Sequence, residues 1–172
     1  ASDAGESPVD ANDDRLYPLD VGWTWTWDVT SVGAGYAFCP AGRRKAEIRA
    51  NENKGGREAF LVQGFCSGVP ASYVAEDSKG IVGLYNGAWA TLLLLPPTDG
   101  ATWTYFNASY RWRKEGKVTV KAGAFDSCWT AVQVVGYLNE TTYCPGVGAV
   151  RVQFADLMGN GWKGEVSSFS AP

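Results

Sequence analysis

In the stretch Trp23-Thr24-Trp25-Thr26-Trp27-Asp28-Val29, every odd position is apolar and every even position polar. Successive side chains of a β-strand point to opposite faces, so this segment reads as a half-buried strand with three indoles on its core face. Similar alternation returns at Val118 and Val120, at Val150, Val152 and Phe154 around Arg151 and Gln153, and from Trp162 to Val166. Segments near 43–50, 57–66, 80–85 and 128–136 are bounded by Gly, Pro, Asn or Asp and also read as strands.

Two places need more than simple alternation. Trp103 and Tyr105 occupy odd positions, whereas Phe106, Ala108, Tyr110 and Trp112 occupy even ones. Within one strand such a shift would expose the core face, so a β-bulge is expected near Phe106–Asn107. The run from Trp89 to Leu95 is apolar on both parities, as a central strand covered on both sides would be; a short buried helix has the same signature. No stretch shows convincing helical periodicity with caps. Twenty-one glycines lie between the short strands. The expected fold is all-β: roughly ten antiparallel strands in a curved sheet forming a half-barrel or barrel, with a sandwich as the alternative. Gly22-Trp23-Thr24-Trp25-Thr26-Trp27 matches Gly100-Ala101-Thr102-Trp103-Thr104-Tyr105 at an offset of 78 residues, which suggests two related β-meanders; convergence of two strand openings is the other explanation.

A chain of 172 residues is one domain, or at most two small ones, and is long enough to bury a core. Its apolar runs are far shorter than the roughly 20 residues of a membrane-spanning helix. Residues 1–14 carry five acids and no base and read as a flexible acidic leader or tether, followed by a single β domain over 15–172. That leader fits a processed export signal or the tether of a bacterial lipoprotein anchored upstream, and equally a trimmed fragment. The remainder holds 15 bases against 13 acids, which gives no electrostatic reason to bind nucleic acid or an anionic membrane. The basic cluster Arg111, Arg113, Lys114, Lys117 and Lys121 reads as the solvated face of a hairpin.

Cys39, Cys66, Cys128 and Cys144 form an even set without C-x-x-C or zinc-ligand spacing, so no metal site is expected. Of the three pairings open to four cysteines, Cys39–Cys66 and Cys128–Cys144 are favoured because each pair flanks a turn-containing segment. Disulfides imply an oxidising, extracytoplasmic compartment: periplasm, outer-membrane lipoprotein or secreted protein. Four free buried thiols in the cytosol are the alternative.

The opening Tyr17-Pro18-Leu19-Asp20-Val21-Gly22-x-x-Trp25-x-Trp27 resembles the start of uncharacterised bacterial lipoprotein domains, which typically open Y-x-P-L-x-x-G-x-x-W-x-Y. Phe125-Asp126-Ser127-Cys128-Trp129 and Tyr143-Cys144-Pro145-Gly146-Val147-Gly148-x-Val150 resemble their later half. The resemblance runs in outline from residue 17 to about 155 and implies antiparallel sheets curved around a central element, as in carriers of lipoproteins. This chain departs from that pattern in having no evident helix to fill the concave face. No catalytic residues are implied by it.

Histidine is absent, which removes Ser-His-Asp triads, Cys-His dyads and imidazole acid–base chemistry. There is no G-x-G-x-x-G, P-loop or G-x-S-x-G. Asp10-x-Asn12-x-Asp14 superficially fits a calcium loop, but Arg15 and Val21 stand where Gly and Glu are required. No cofactor is expected. Carboxylate-pair glycan hydrolysis survives as a distant third reading. Eight Trp and eight Tyr invite binding of a ligand by ring stacking or burial, although most of these rings alternate as core residues. The candidate ligand contacts are Trp162, set among glycines, and Tyr85 beside Asn86-Gly87, followed by Trp112 and Trp89. The expected function is non-enzymatic binding of a lipid or other small hydrophobic molecule outside the cytoplasm, with a protein–protein or cell-surface adhesion module as the rival.

Overall fold

The computed structural model describes residues 13–172. The acidic leader expected over 1–14 therefore lies, except for Asp13 and Asp14, outside the described residues.

The alternating segment forms β1 (Thr24–Val32), with Trp25, Trp27 and Val29 buried on one face and Thr24, Thr26 and Asp28 on the other. Eleven more strands follow: β2 (Gly42–Lys54), β3 (Arg57–Gln63), β4 (Ser72–Asp77), β5 (Gly80–Tyr85), β6 (Ala88–Leu94), β7 (Thr102–Tyr105), β8 (Ala108–Val120), β9 (Gly123–Gln133), β10 (Leu138–Cys144), β11 (Gly148–Ala155) and β12 (Gly161–Ser170). They make one sheet, ordered β6-β5-β4-β3-β2-β1-β12-β11-β10-β9-β8-β7, and every neighbouring pair is antiparallel. The protein is thus all-β, a nearly closed barrel of twelve strands rather than ten.

Two six-stranded meanders, β1–β6 and β7–β12, meet at the β1–β12 ladder. The repeated aromatic motif opens both, since Thr24 begins β1 and Thr102 begins β7.

The outer strands of the sheet, β6 and β7, carry no ladder between them. Side chains close the seam instead. The Trp103 indole N–H donates to the Leu92 carbonyl at 2.9 Å, and that of Trp112 donates to the Leu94 carbonyl at 2.6 Å. This corrects the expectation for Trp89–Leu95. The segment is not central in the ladder; its strand lies at the seam, where indoles from β7 and β8 cover its inner face. A shift of pairing between Ile81 and Val82 lets one extra residue into β6, so both parities there lose a simple in–out meaning.

The parity change between Tyr105 and Ala108 also has another cause than the bulge expected there. Tyr105 pairs with Ala108, so Phe106 and Asn107 form a two-residue hairpin turn, with Phe106 at positive φ. Two strands meet at that point, each with its own phase. The Asn86-Gly87 pair makes a turn of the same length, with both residues at positive φ.

Inward-facing residues follow the register. Val29, Gly164, Val152, Thr141, Ala131 and Trp112 form one cross-strand row through the barrel. Residues 15–23 cover one end of it: Leu16, Leu19 and Trp23 join the core cluster, and Gly146 N donates to the Arg15 carbonyl at 3.0 Å. That end also holds the β2–β3, β4–β5, β6–β7, β8–β9 and β10–β11 connections; the other six lie at the far end.

A second, smaller core lies outside the barrel. Beyond Gly116, at positive φ in a bulge, the β8–β9 hairpin folds back toward β12, where Ala122 N donates to the Val166 carbonyl at 3.1 Å. Val118, Val120, Val147 and Val150 pack there around the disulfide-bonded Cys128 and Cys144.

Candidate functional site

The barrel is not completely filled. A cavity of about 190 Å³, partly open to solvent, lies within it, lined chiefly by Trp25, Trp27, Phe65, Tyr143, Ala149 and Val152, with Tyr17 from the covering segment. Each ring has a reason to stay in place. Trp25 donates its indole N–H to the Val147 carbonyl at 2.7 Å and stacks on Trp23 at 5.5 Å. Trp27 lies 4.7 Å from Phe65, and Tyr17 lies 6.2 Å from Tyr143. Gly164 leaves room for this packing: a Cβ there would meet Trp27 at 3.1 Å and Val152 at 3.2 Å.

Among the described residues, no charged side chain lines the cavity. Its titratable groups are phenols, and burial pushes the Tyr17 hydroxyl up to about 12 and that of Tyr143 higher still. Both remain neutral at physiological pH. Gln63 and Thr141 supply the polar edges. Such a lining favours an uncharged, apolar guest, held by burial and oriented by a few hydrogen bonds.

The four aromatics singled out in the sequence are not brought together. Trp162 is half-buried, stacked on Phe154 at 4.5 Å, with Tyr36 and Phe38 edge-on. It belongs to an aromatic plug at the far end of the barrel. Trp112 is fully buried, and its N–H closes the seam, so it presents no surface to a ligand. Trp89 lies on the outside of the sheet, against Gly55 and beneath the Arg57 guanidinium at 5.3 Å; its indole N–H has no partner among the described residues. Tyr85 is exposed at its hairpin turn, edge-on to Phe106. The cavity is built instead from Trp25 and Trp27, read from the sequence as core, and from Phe65, Tyr143 and Ala149, whose convergence across the barrel leaves no trace in local pattern.

A second concavity, about 620 Å³ and polar, lies outside, between the folded-back hairpin and the outer face of β1, β12, β11 and β10. The ladder sets its row of side chains: Asp28, Glu165, Arg151, Thr142, Thr130 and Arg113 stand opposite one another across the strands. Its charges largely satisfy each other. Lys121 pairs with Asp28 at 2.7 Å and Arg113 with Glu140 at 3.2 Å. Burial pushes the Glu140 carboxyl up, but hydrogen bonds from Arg113 and Gln153 outweigh this and hold it below the usual range.

Cys39 is bonded to Cys66 and Cys128 to Cys144, the pairings that flank turn-containing segments, and no described cysteine is free. Fold and site together define a disulfide-bonded, all-antiparallel barrel with an apolar interior, a protein of an oxidising, extracytoplasmic compartment.

No protein-family model and no curated protein matches the chain. Among solved structures it is similar to a candidate lipoprotein of Parabacteroides distasonis, with 11% identity and a TM-score of 0.41 over 93% of this chain and 100% of that one. It is also similar to a candidate exported protein with YmcC-like fold from Bacteroides fragilis, with 11% identity and a TM-score of 0.41 over 90% of this chain and 98% of that one. Likeness at this level carries nothing about function.

Proposed function

We propose that the protein is a non-enzymatic extracytoplasmic binding domain that takes a small apolar molecule, or a short apolar portion of a lipid, into its barrel. The carrying observation is the uncharged cavity of about 190 Å³ between Trp27, Phe65 and Tyr143. An apolar protein cavity of about 150 Å³ binds benzene or xenon, so this space suits a guest of one aromatic ring or a few methylene groups. The two disulfides fit a protein of the periplasm, an outer-membrane lipoprotein or a secreted protein.

The reading without catalysis draws support from the outer groove. A glycosidase needs two facing carboxyls, one with a raised pKa. The groove's Asp28 is instead pulled down by the Lys121 hydrogen bond, and Glu140 is held down by Arg113.

Toluene titrated against the protein and followed by ligand-observed NMR tests the proposal. Saturable binding is expected, and it should be lost in Ala149→Leu, which extends a side chain into the cavity. Absence of binding, or equal binding by the folded Ala149→Leu variant, would refute it.

A further inference from the structure

The two ends of the barrel differ sharply in charge. The covering segment carries Arg15 and Asp20, and the connections beside it carry Lys79 and Asp99. At the far end, the six connections β1–β2, β3–β4, β5–β6, β7–β8, β9–β10 and β11–β12 contain one charged residue, Asp156. Even that carboxylate is turned inward to its own connection: it accepts from the Tyr36 hydroxyl, from Met158 N at 2.9 Å and from Asn160 N at 3.0 Å.

The same end gathers the exposed apolar surface. Of the ten large apolar side chains exposed among the described residues, only Val21 lies elsewhere. Leu157 and Met158, 79% and 85% exposed, tip the β11–β12 connection, and Val135, 78% exposed, tips β9–β10 with Tyr137 beside it. Phe38 and Val69 project from two further connections, and Tyr85 ends β5 beside a third.

We infer that this end docks onto a lipid bilayer, with the tips of several connections entering the interfacial zone while the barrel stays outside. The absence of charge at the exposed tips matches insertion below the headgroups, where a charged side chain would oppose entry. The side wall carries Asp28, Glu165, Arg151 and Arg113 facing outward, so the bilayer meets the barrel only by its end. Backbone groups in these connections are internally bonded: Gly68 N to the Phe38 carbonyl at 2.9 Å, Val69 N to Cys66 at 3.0 Å and Gly159 N to Asp156 at 3.0 Å. Such pairing lowers the cost of leaving water. The Cys39–Cys66 bond and the Tyr36–Phe38–Trp162 ring contacts hold the tips in place before contact, so little ordering is required on docking. Tyr85 and Tyr137 suit the headgroup level, where a ring with a polar tip is at home. Separate protruding tips, rather than one flat face or a groove, fit a deformable lipid surface better than a second protein. The basic side chain that reaches this end, Arg44 at the start of β2, is turned onto the Pro40 and Ala41 carbonyls, so the exposed tips themselves carry no base and attraction to anionic lipid is not required.

Flotation of the full chain with phosphatidylcholine vesicles tests this. The protein should float with zwitterionic vesicles, equally at about 0.1 M and about 1 M salt, because no screened charge contributes. Leu157→Asp/Met158→Asp, at two highly exposed positions, should fold normally by circular dichroism and lower vesicle partitioning by about tenfold or more. Met158→Leu should retain binding, and Ala149→Leu, within the cavity, should leave it unchanged. The inference fails if the protein does not float, if it floats only with anionic lipid and is released by salt, or if the double aspartate variant floats like the parent. A concentration-dependent dimer lost in that variant, with vesicles left bare, would also overturn it and assign the end to self-association.

Discussion

The indole N–H of Trp112 on β8 points across the one seam that has no ladder and donates to the Leu94 carbonyl of β6 at 2.6 Å. With Trp103 doing the same to Leu92, two side chains replace the backbone bonds that elsewhere join neighbouring strands. Trp112→Phe keeps most of the buried ring but leaves the Leu94 carbonyl without this donor. It should destabilise the protein by about 1–3 kcal/mol, read as a lower urea midpoint at unchanged slope.

Gly164 faces Trp27 and Val152 so closely that a methyl group would fit only if those side chains gave way by a few tenths of an ångström. Gly164→Ala should cost about 1–3 kcal/mol by overpacking, measured by the same unfolding curves. An unchanged midpoint would mean that the Trp27 ring moves easily, and the cavity wall beside it would then be soft.

The Cys128–Cys144 bond joins β9 to β10 beneath the folded-back hairpin and closes a short loop, its cysteines 16 apart in sequence. Replacing both with serine should cost about 3 kcal/mol through the freed unfolded chain. The comparison is made under non-reducing conditions, so that Cys39–Cys66 stays intact in both proteins.

Alkaline unfolding should involve the two phenols of the cavity. Burial raises Tyr17 from 10.0 to about 12 and Tyr143 further, so the folded state favours the protonated form of each. A group whose folded pKa is raised contributes stability that is fully present below its unfolded pKa and lost as pH rises through the folded one. Stability should therefore hold up to about pH 10 and fall above it, with tyrosinate absorbance at 295 nm appearing in step with unfolding. Tyr17→Phe should reduce the slope of that fall.

Much of the architecture is legible in the sequence where one face of a strand is dry and the other wet. β1 is such a strand: Trp25, Trp27 and Val29 look inward and Asp28 outward, and alternation alone assigns them. β10 is not. Its inward Thr141 is polar, and its outward Thr142 is buried under the folded-back hairpin, where it shares a hydrogen bond of 2.7 Å with Thr130, so alternation is erased. β4 is short, with Val74 and Ala75 both buried, and gives no period either. The seam escapes for a different reason. Trp103 and Trp112 read as core rings, which they are, but that their N–H groups close a barrel depends on a contact between strands at opposite margins of the sheet. The cavity is a property of distance across the barrel, which local pattern does not encode. The uncharged end becomes visible only once topology gathers six separate connections.

The most direct test of a nearly closed barrel with an unfilled apolar interior is a crystal of the protein equilibrated under xenon. An ordered xenon atom is expected between Trp27, Phe65 and Tyr143, within van der Waals distance of all three rings. An interior without xenon, with those rings packed against one another, would contradict it.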